Sequence, residues 1–511
     1  MKRLLILCVA LIVLGFAPIG SSSQRGERRI GSKSFTESVI LGECLRVLLE
    51  DTGSSTRHLR ELGGTRLVFD SLRNGEIDVY PEYTGTIREE ILSGQGVETL
   101  ENMRNALREH GVEMSEPLGF NNTYALAMLR SRAEELGIQR ISDLTAHPKL
   151  VFGLSNEFMD REDGWPNLQR SYGLQPKTVS GLDHDLAYRQ LDFGAIDVID
   201  AYSTDAKIQT HDLVLLEDDR AYFPRYDAVL LYRSDLKKYD ETGLRSLLRL
   251  AGRIDEATMI TANARVEVDR VSESQAASEL LEKQLGVSSY VRELSVTQRV
   301  FMRLVEHVDL VRKSLIPAIL LAIPLGVFAA KRRMAGTVVL SIAGIIQTIP
   351  ALALLVMLMP VMHYLNLASV GLGAATAIVA LMLYSLLPIV RNTHAGIQSI
   401  SPQLSESAQA LGVSAFYRLF HIELPLASRS ILAGIKTAAV MNVGFATLGA
   451  LIGAGGFGQS IITGIRLNDT QLILEGAIPA AVLALVVQFS FDLAEFIWLG
   501  NPWTQQPESS M

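Results

Sequence analysis

Residues Leu315 to Arg333 read LIPAILLAIPLGVFAAKRR, an apolar run closed by Lys331, Arg332 and Arg333. A run of this kind suits hydrocarbon, and with its flanks it approaches the roughly 20 residues that cross a bilayer. Toward the C-terminus, four more apolar runs follow at 336–359, 368–390, 431–452 and 472–491. Five in succession exceed what the core of one soluble domain holds, so five membrane spans are expected. Toward the N-terminus the character reverses, because from Gln24 to about Arg312 the chain is rich in Asp, Glu, Arg and Lys. The 48% hydrophobic content and mean hydropathy of +0.23 over 511 residues, alongside 20% charged residues, therefore describe two segregated parts.

Charge sets the expected orientation. Lys331, Arg332 and Arg333 follow the first span, and Arg391, Arg418 and Arg429 lie between the third and fourth, which predicts cytoplasmic loops there. The loop 362–367 carries no Lys or Arg and is expected outside. At the N-terminus, Lys2 and Arg3 precede an apolar stretch from Leu4 to Ile19 and then Gly20 and three serines, the order of a secretory signal. The stretch is nearly long enough to be an uncleaved anchor, and either form exports the chain from Gln24 onward. A net charge of −8 gives no basic footprint for nucleic acid. The two cysteines, Cys8 and Cys44, support neither a disulfide framework nor a thiolate metal site, and no cofactor or metal is expected.

Between the third and fourth spans lies Glu406-Ser407-Ala408-Gln409-Ala410-Leu411-Gly412, followed by Ile422-Glu423-Leu424-Pro425. The Ala-rich start predicts a short helix, Gly412 a sharp turn, and Pro425 the end of a second helix. This segment resembles the cytoplasmic coupling loop of ABC importer permeases, with Ser407 in place of one alanine. The resemblance implies that Glu406, Ala408, Gly412, Leu424 and Pro425 engage an ATPase subunit. No segment reads G-x-x-x-x-G-K-[ST], so the ATPase is expected to be a separate chain, this one being a transporter subunit and not an enzyme. Gln347-Thr348-Ile349-Pro350, Leu387-Pro388-Ile389-Val390-Arg391-Asn392-Thr393 and Ile452-Gly453-Ala454-Gly455-Gly456-Phe457-Gly458 are similar to permeases of the osmoprotectant uptake family. The glycines fit either a re-entrant turn or simple small-residue packing. Asn442, Glu475 and Asp492 lie within or near spans, where polar groups are costly, and each is either functional or able to snorkel.

In the exported part, Arg28 to Lys33 is a strand candidate, followed by Ser34 and Glu37 at capping-box spacing before a helix. Strand and helix units alternate from there to about Gly286, an α/β class. One pattern occurs twice: Leu72-x-x-Gly75-x-Ile77-Asp78-Val79-x-x-x-Tyr83 and Leu191-x-x-Gly194-x-Ile196-Asp197-Val198-x-x-x-Tyr202. Two lobes of like construction are expected, each presenting a tyrosine past a strand end, where ligands gather in open sheets. Gly31-Ser32-Lys33-x-Phe35-Thr36-Glu37, Tyr80-Pro81-Glu82-Tyr83-Thr84-Gly85-Thr86, Phe120-Asn121-Asn122-Thr123-Tyr124-Ala125 and Phe158-x-x-Arg161-x-Asp163-Gly164 resemble the osmoprotectant-binding proteins of these importers.

That resemblance implies a tyrosine cage of Tyr83, Tyr124, Tyr202 and Tyr226 around a quaternary ammonium, and a carboxylate clamp of Lys33, Thr86 and Arg161 assisted by Asn122. Tyr80, Tyr188 and Tyr222 are rival cage members. A quaternary ammonium donates no N–H bond, so ring faces suit it, each contributing about 0.5–2 kcal/mol when desolvated. The clamp implies a zwitterion such as glycine betaine over choline, with choline and ergothioneine as alternatives within one architecture and an exported solute-sensing receptor as the competitor of another class.

The implied fold is a two-lobed α/β periplasmic-binding-protein fold, type II-like, followed by an all-α five-span ABC type I importer transmembrane domain. Expected boundaries are 1–23 for the signal or anchor, 24–286 for the binding domain, 287–308 for a linker, 309–500 for the permease and 501–511 for a cytoplasmic tail. The expected setting is the cytoplasmic membrane with the binding domain outside, as a homodimer in the bilayer.

Overall fold

The computed structural model describes residues 26–288, 294–364 and 372–499. The signal or anchor, the tail 501–511 and residues 365–367 of the loop lie outside the described residues. The chain divides into two compact units, one of Gln24–Glu293 and the other containing Leu294–Met511.

The first unit is α/β. Its strands in chain order are β1 (Arg28–Gly31), β2 (Thr56–Leu59), β3 (Val79–Tyr83), β4 (Val112–Met114), β5 (Tyr124–Leu129), β6 (Val151–Ser155), β7 (Thr178–Leu182), β8 (Ile199–Tyr202), β9 (Leu213–Leu215) and β10 (Ala228–Arg233). One lobe holds the sheet β2-β1-β3-β10-β4. The other holds β8-β5-β9 and the pair β6-β7, joined by a bridge between Phe152 and Val198. The chain crosses between lobes before β5 and again before β10, and there Asn121 pairs with Asp227.

The repeated pattern is one structural device used twice. In each copy a helix, Thr65–Arg73 or His184–Asp192, ends before a glycine at positive φ, Gly75 at 71° or Gly194 at 67°. That left-handed residue turns the chain, a conformation glycine adopts at no steric cost. The Asp that follows then pairs with the neighbouring strand. Asp78 N–H donates to Arg29 O and Asp197 N–H to Val151 O, both at 2.7 Å, while their Oδ2 atoms accept from the same residues' N–H groups. The preceding isoleucine packs over a glycine of that strand, since a Cβ on Gly31 or Gly153 would lie 2.5 Å from Ile77 or Ile196 Cδ1. Each lobe has its own core, built in the first around Val68, Leu72, Ile77 and Leu231 and in the second around Ala187, Leu191, Ile196 and Ile199.

The helix after β1, Thr36–Asp51, is buried along most of its length beneath Glu256–Glu267 and Glu273–Leu285. The expected capping box does not form. Phe35 is the N-cap and makes no side-chain cap, so Ser34 and Glu37 are not reciprocal partners. Glu37 is turned inward instead.

The second unit is helical. Among the described residues, four helices are long and apolar enough to cross a membrane: Val296–Lys331, Gly373–Gln398, Ala415–Ile452 and Thr470–Ile497. Gly336–Thr348 and Ala351–Met362 meet at 104° and make a fifth crossing only if the bent pair is one span. The uninterrupted second span expected at 336–359 is therefore broken. Pro350 lacks an N–H and disfavours helical backbone at the residue before it, and Ile349 is extended at φ −69° and ψ 126°. The first helix starts well before the apolar run. Ser295 and Gln298 form a reciprocal cap, so most of the residues assigned to the linker are helical.

The three polar residues singled out near spans are all engaged. Glu475 receives Arg299 at 2.6 and 3.1 Å, Asp492 pairs with Lys436 at 2.7 Å, and Asn442 Nδ2 donates to Ser314 Oγ at 3.1 Å. The glycine run is a turn: Gly453, Gly455 and Gly456 have φ of 74°, 80° and 76°, and Gly456 N–H donates to Glu306 Oε2 at 3.0 Å.

Candidate functional site

Sheet register brings the aromatic side chains together. Tyr124 opens β5 and Tyr202 closes β8, and the antiparallel pairing sets them directly opposite, with ring centroids 5.1 Å apart. Tyr226, on the returning crossover, meets Tyr124 edge-on at 5.7 Å. Its ring covers Gly85, where a Cβ would lie 2.4 Å from the ring. Tyr83 closes β3 in the other lobe and joins the group through Phe35, whose ring lies 6.1 Å from Tyr83 and 5.7 Å from Tyr202. Phe158 at 5.0 Å and Phe223 at 6.5 Å extend the wall beyond Tyr124. The four tyrosines named from sequence thus belong to one aromatic cluster drawn from both lobes and the crossovers. Of the rivals, Tyr222 lies 5.1 Å from Phe223 and Tyr188 5.6 Å from His184, while the hydroxyl of Tyr80 donates to Glu82.

The polar residues are arranged differently from the expected clamp. Lys33 Nζ lies 2.6 Å from Glu82 Oε1. Arg161 makes a bidentate pair with Asp163 at 2.7 and 2.6 Å and a further bond to Glu90 at 3.0 Å. Asp163 also accepts the Tyr226 hydroxyl. Both cations are buried and already neutralised, so the exclusion of choline by unpaired positive charge does not follow. A buried cation without a partner is too costly to persist, and the chain supplies an acid for each. Thr86 is buried in the short turn after β3.

Asn122 turns to Glu37. This carboxylate is 2% exposed and accepts four bonds: Tyr83 Oη at 2.6 Å and Asn122 Nδ2 at 2.9 Å on Oε1, Thr204 Oγ1 at 2.6 Å and Asn263 Nδ2 at 3.1 Å on Oε2. Burial pushes its pKa up, and the bonds from Thr204, Tyr83, Asn263 and Asn122 oppose that rise. Behind Tyr202 stands His184, with ring centroids 4.7 Å apart. Burial favours its neutral form, but Asp200 and Asp205 outweigh that and hold the imidazole protonated well above its usual range. Glu37, Asp163, Phe35, Thr204, Asn263 and His184 were missed as site residues. Spacing from a helix start disguised Glu37 as a cap, and nothing in the spacing of His184 tied it to Tyr202.

In the second unit, Pro402–Ala410 and Ala415–Arg418 flank Gly412, whose φ of 76° makes the turn. Glu406 is exposed, as are Leu411 and Phe416 at 83% and 72%, so the turn projects an apolar tip. Ala408 is buried and packs beneath that surface. Pro425 does not end a helix. It stands in the first turn of Leu424–Phe445, and a π-turn at Leu419–Glu423 widens the preceding backbone to accommodate the missing N–H.

A two-lobed binding unit and a helical unit with a projecting loop define the solute-binding and membrane parts of a binding-protein-dependent importer. The family comparison agrees. Residues 28–283 match the substrate binding domain of ABC-type glycine betaine transport systems, and residues 322–497 match the inner membrane component of binding-protein-dependent transport systems. The chain belongs to these families: it is a multi-pass membrane subunit of an ABC importer that fuses the binding and permease domains, and such importers work with a solute and an ATPase.

Over 171 residues the chain is 48% identical to a carnitine transport permease protein of Listeria monocytogenes, spanning 33% of this chain and 73% of that protein. It is 37% identical to a choline transport system permease protein of Bacillus subtilis, over 37% of this chain and 84% of that protein. An ergothioneine transport permease and binding protein of Helicobacter pylori is 32% identical over 50% of this chain and 47% of its own length. A solved glycine betaine/carnitine/choline ABC transporter structure is 27% identical, with a TM-score of 0.43, covering 50% of this chain and 98% of its own.

Proposed function

We propose that this chain captures a quaternary-ammonium solute outside the cytoplasmic membrane and passes it through its own membrane unit. The observation that carries this reading is the cluster of Tyr83, Tyr124, Tyr202 and Tyr226, contributed by both lobes and by the crossovers between them. Ring faces attract a cation that cannot donate a hydrogen bond, and a ligand touching both lobes favours their closed arrangement. Glycine betaine, carnitine, choline and ergothioneine all carry the trimethylammonium group. The pairing of Lys33 with Glu82 and of Arg161 with Asp163 favours choline as a second reading, since a solute carboxylate must displace an acid to reach either cation.

The proposed topology follows the basic loops, with residues 331–333 and 391–429 inside, 24–286 outside and the C-terminus cytoplasmic. Two copies of the chain form the pathway, and the loop around Gly412 receives a separate ATPase, with Glu406, Leu424 and Pro425 at or beside its docking surface. Binding calorimetry on the purified chain in nanodiscs with the four solutes tests the ligand class. Saturable binding of at least one is expected, and binding of none refutes the reading. Co-purification with an ATPase chain, lost on disruption of the loop, separates an importer from a solute-sensing receptor.

A further inference from the structure

Every cation found at the aromatic cluster already has an acid. Lys33 is held by Glu82, Arg161 by Asp163 and Glu90, and His184 by Asp205 at 3.1 Å with Asp200 at 3.7 Å. Glu37 is the exception. Its four partners, Tyr83, Asn122, Thr204 and Asn263, are neutral donors, and among the described residues no Lys, Arg or His lies within ion-pair distance of it. Four donors on two oxygens suit an ionised carboxylate, whose lone pairs they fill. They do not cancel its charge. An acid shielded from water without a counter-ion is either neutralised by a proton, the direction in which burial pushes Glu37, or held ionised by a positive group brought from elsewhere.

The position of Glu37 says where that group sits. Its Oε1 is 2.6 Å from the hydroxyl of Tyr83, whose ring reaches Tyr202 through Phe35. Its donors come from β3, the crossover, the loop after β8 and the helix Glu256–Glu267, so the carboxylate is fully enclosed only when both lobes contribute. With its oxygens saturated, Glu37 has no hydrogen bond left for a ligand. What it offers is field, which acts on a quaternary ammonium as well as on any cation.

We infer that Glu37 is the counter-charge of the bound solute: it selects for positive charge at the tyrosine cluster, while the rings select for the trimethyl shape. The inference rests on the quaternary-ammonium reading and assigns the charge selectivity to a residue outside the cage and clamp.

The test compares choline with its neutral carbon isostere, 3,3-dimethylbutan-1-ol, on the full chain in nanodiscs. Wild-type protein is expected to prefer choline by more than about a hundredfold, and Glu37→Gln to lower that preference at least tenfold by weakening choline alone. Tyr83→Phe, which removes one donor and keeps the acid, is expected to weaken both probes by a similar factor. A purely structural Glu37 weakens both probes equally in Glu37→Gln, and that result overturns the inference while leaving the solute class intact. Wild-type protein that binds none of glycine betaine, carnitine, choline and ergothioneine overturns the solute class and the counter-charge together.

If Glu37→Gln does not fold, wild-type protein titrated across its full pH range of stability gives the same discrimination. Protonation of Glu37 toward the acid end weakens choline and spares the alcohol, and a preference unchanged across the whole range refutes the inference. The charged groups facing the region are the Lys33–Glu82 pair, the His184–Asp205–Asp200 cluster and Glu267, one turn from Asn263. Asp205 and Asp200 hold the His184 imidazole protonated well above its usual range.

Discussion

Tyr83 carries two separable duties, and a pair of substitutions separates them. Its ring is 6.1 Å from Phe35 and its hydroxyl is 2.6 Å from Glu37. Tyr83→Phe keeps the ring face and removes one of four donors to the carboxylate. A hydrogen bond to a charged group is worth about 1.5–3 kcal/mol, and the free and bound states share part of that loss. A fall in affinity of about tenfold at most is therefore expected from Phe, since 1.4 kcal/mol is a factor of ten. Tyr83→Ala also removes the face, worth about 0.5–2 kcal/mol, or a further two- to thirtyfold. The side chain is buried, so the Ala variant leaves a cavity that costs about 3–5 kcal/mol of stability. Folding is checked by protease resistance of the unit before calorimetry with glycine betaine and choline. A folded Tyr83→Ala protein, alone or combined with Tyr202→Ala, that binds both solutes at wild-type affinity shows that the aromatic cluster is core packing and not a cage.

Three further outcomes are expected. Glu82→Gln leaves Lys33 buried without an acid, which destabilises the unit by about 3–5 kcal/mol and shifts preference from choline toward glycine betaine, whose carboxylate fills the gap; an unchanged preference ratio in calorimetry refutes the assignment. Glu76 is buried with neither oxygen hydrogen-bonded, and burial, only partly offset by Arg29, pushes its pKa to about 8. Its proton is retained in the fold and lost on unfolding, so wild-type stability falls as pH rises from about 4.5 to about 8 relative to Glu76→Ala, a gap of about 3 kcal/mol at pH 7. Native-state hydrogen exchange at the β1 and β3 amides measures it, and a gap independent of pH contradicts the burial argument. Gly412→Asp forces a side chain into a left-handed residue at about 1–2 kcal/mol and places charge on the exposed turn. Solute binding is expected to persist while solute-stimulated ATPase activity and uptake are lost, and full uptake by the variant rules out this turn as the coupling surface.

Periodicity made the architecture legible because membrane spans and α/β units are both long-range patterns. The break at Ile349–Pro350 was not read, since a proline inside an apolar run is common in spans and only the backbone shows whether it kinks or separates two helices. Pro425 was misread in the opposite sense, as a stop, because a π-turn that relieves it has no sequence signature. At the candidate site the aromatic residues were legible and the charges were not. Strand ends and the repeat locate rings, but which acid neutralises which base depends on side chains brought together from across the fold, such as Glu90 on Arg161.

The repeat also explains how a symmetric frame yields an asymmetric site. Matching Gly31 to Gly153 and Tyr83 to Tyr202 places Lys33 opposite Ser155, whereas Glu82 falls opposite Ala201 and Asp200 opposite Pro81. In each lobe the strand tip meets an acid from the neighbouring strand beneath the tyrosine: Lys33 with Glu82 at 2.6 Å, and Ser155 Oγ with Asp200 at 2.7 Å. The strand tips correspond, but the acids that meet them sit one residue apart in the repeat, so the frame does not dictate the pair. Glu76 has Ala195 as its counterpart, which shows that the turn itself does not require an acid there. Glu37 stands outside this correspondence: its counterpart by the same alignment is Met159, on the helix Asn156–Asp160. A carboxylate supplied by one lobe and enclosed by donors from both cannot be a product of the shared frame. Charge selection through Glu37 would then arise at a position where the two copies differ in chemistry, a buried acid in one and a methionine in the other.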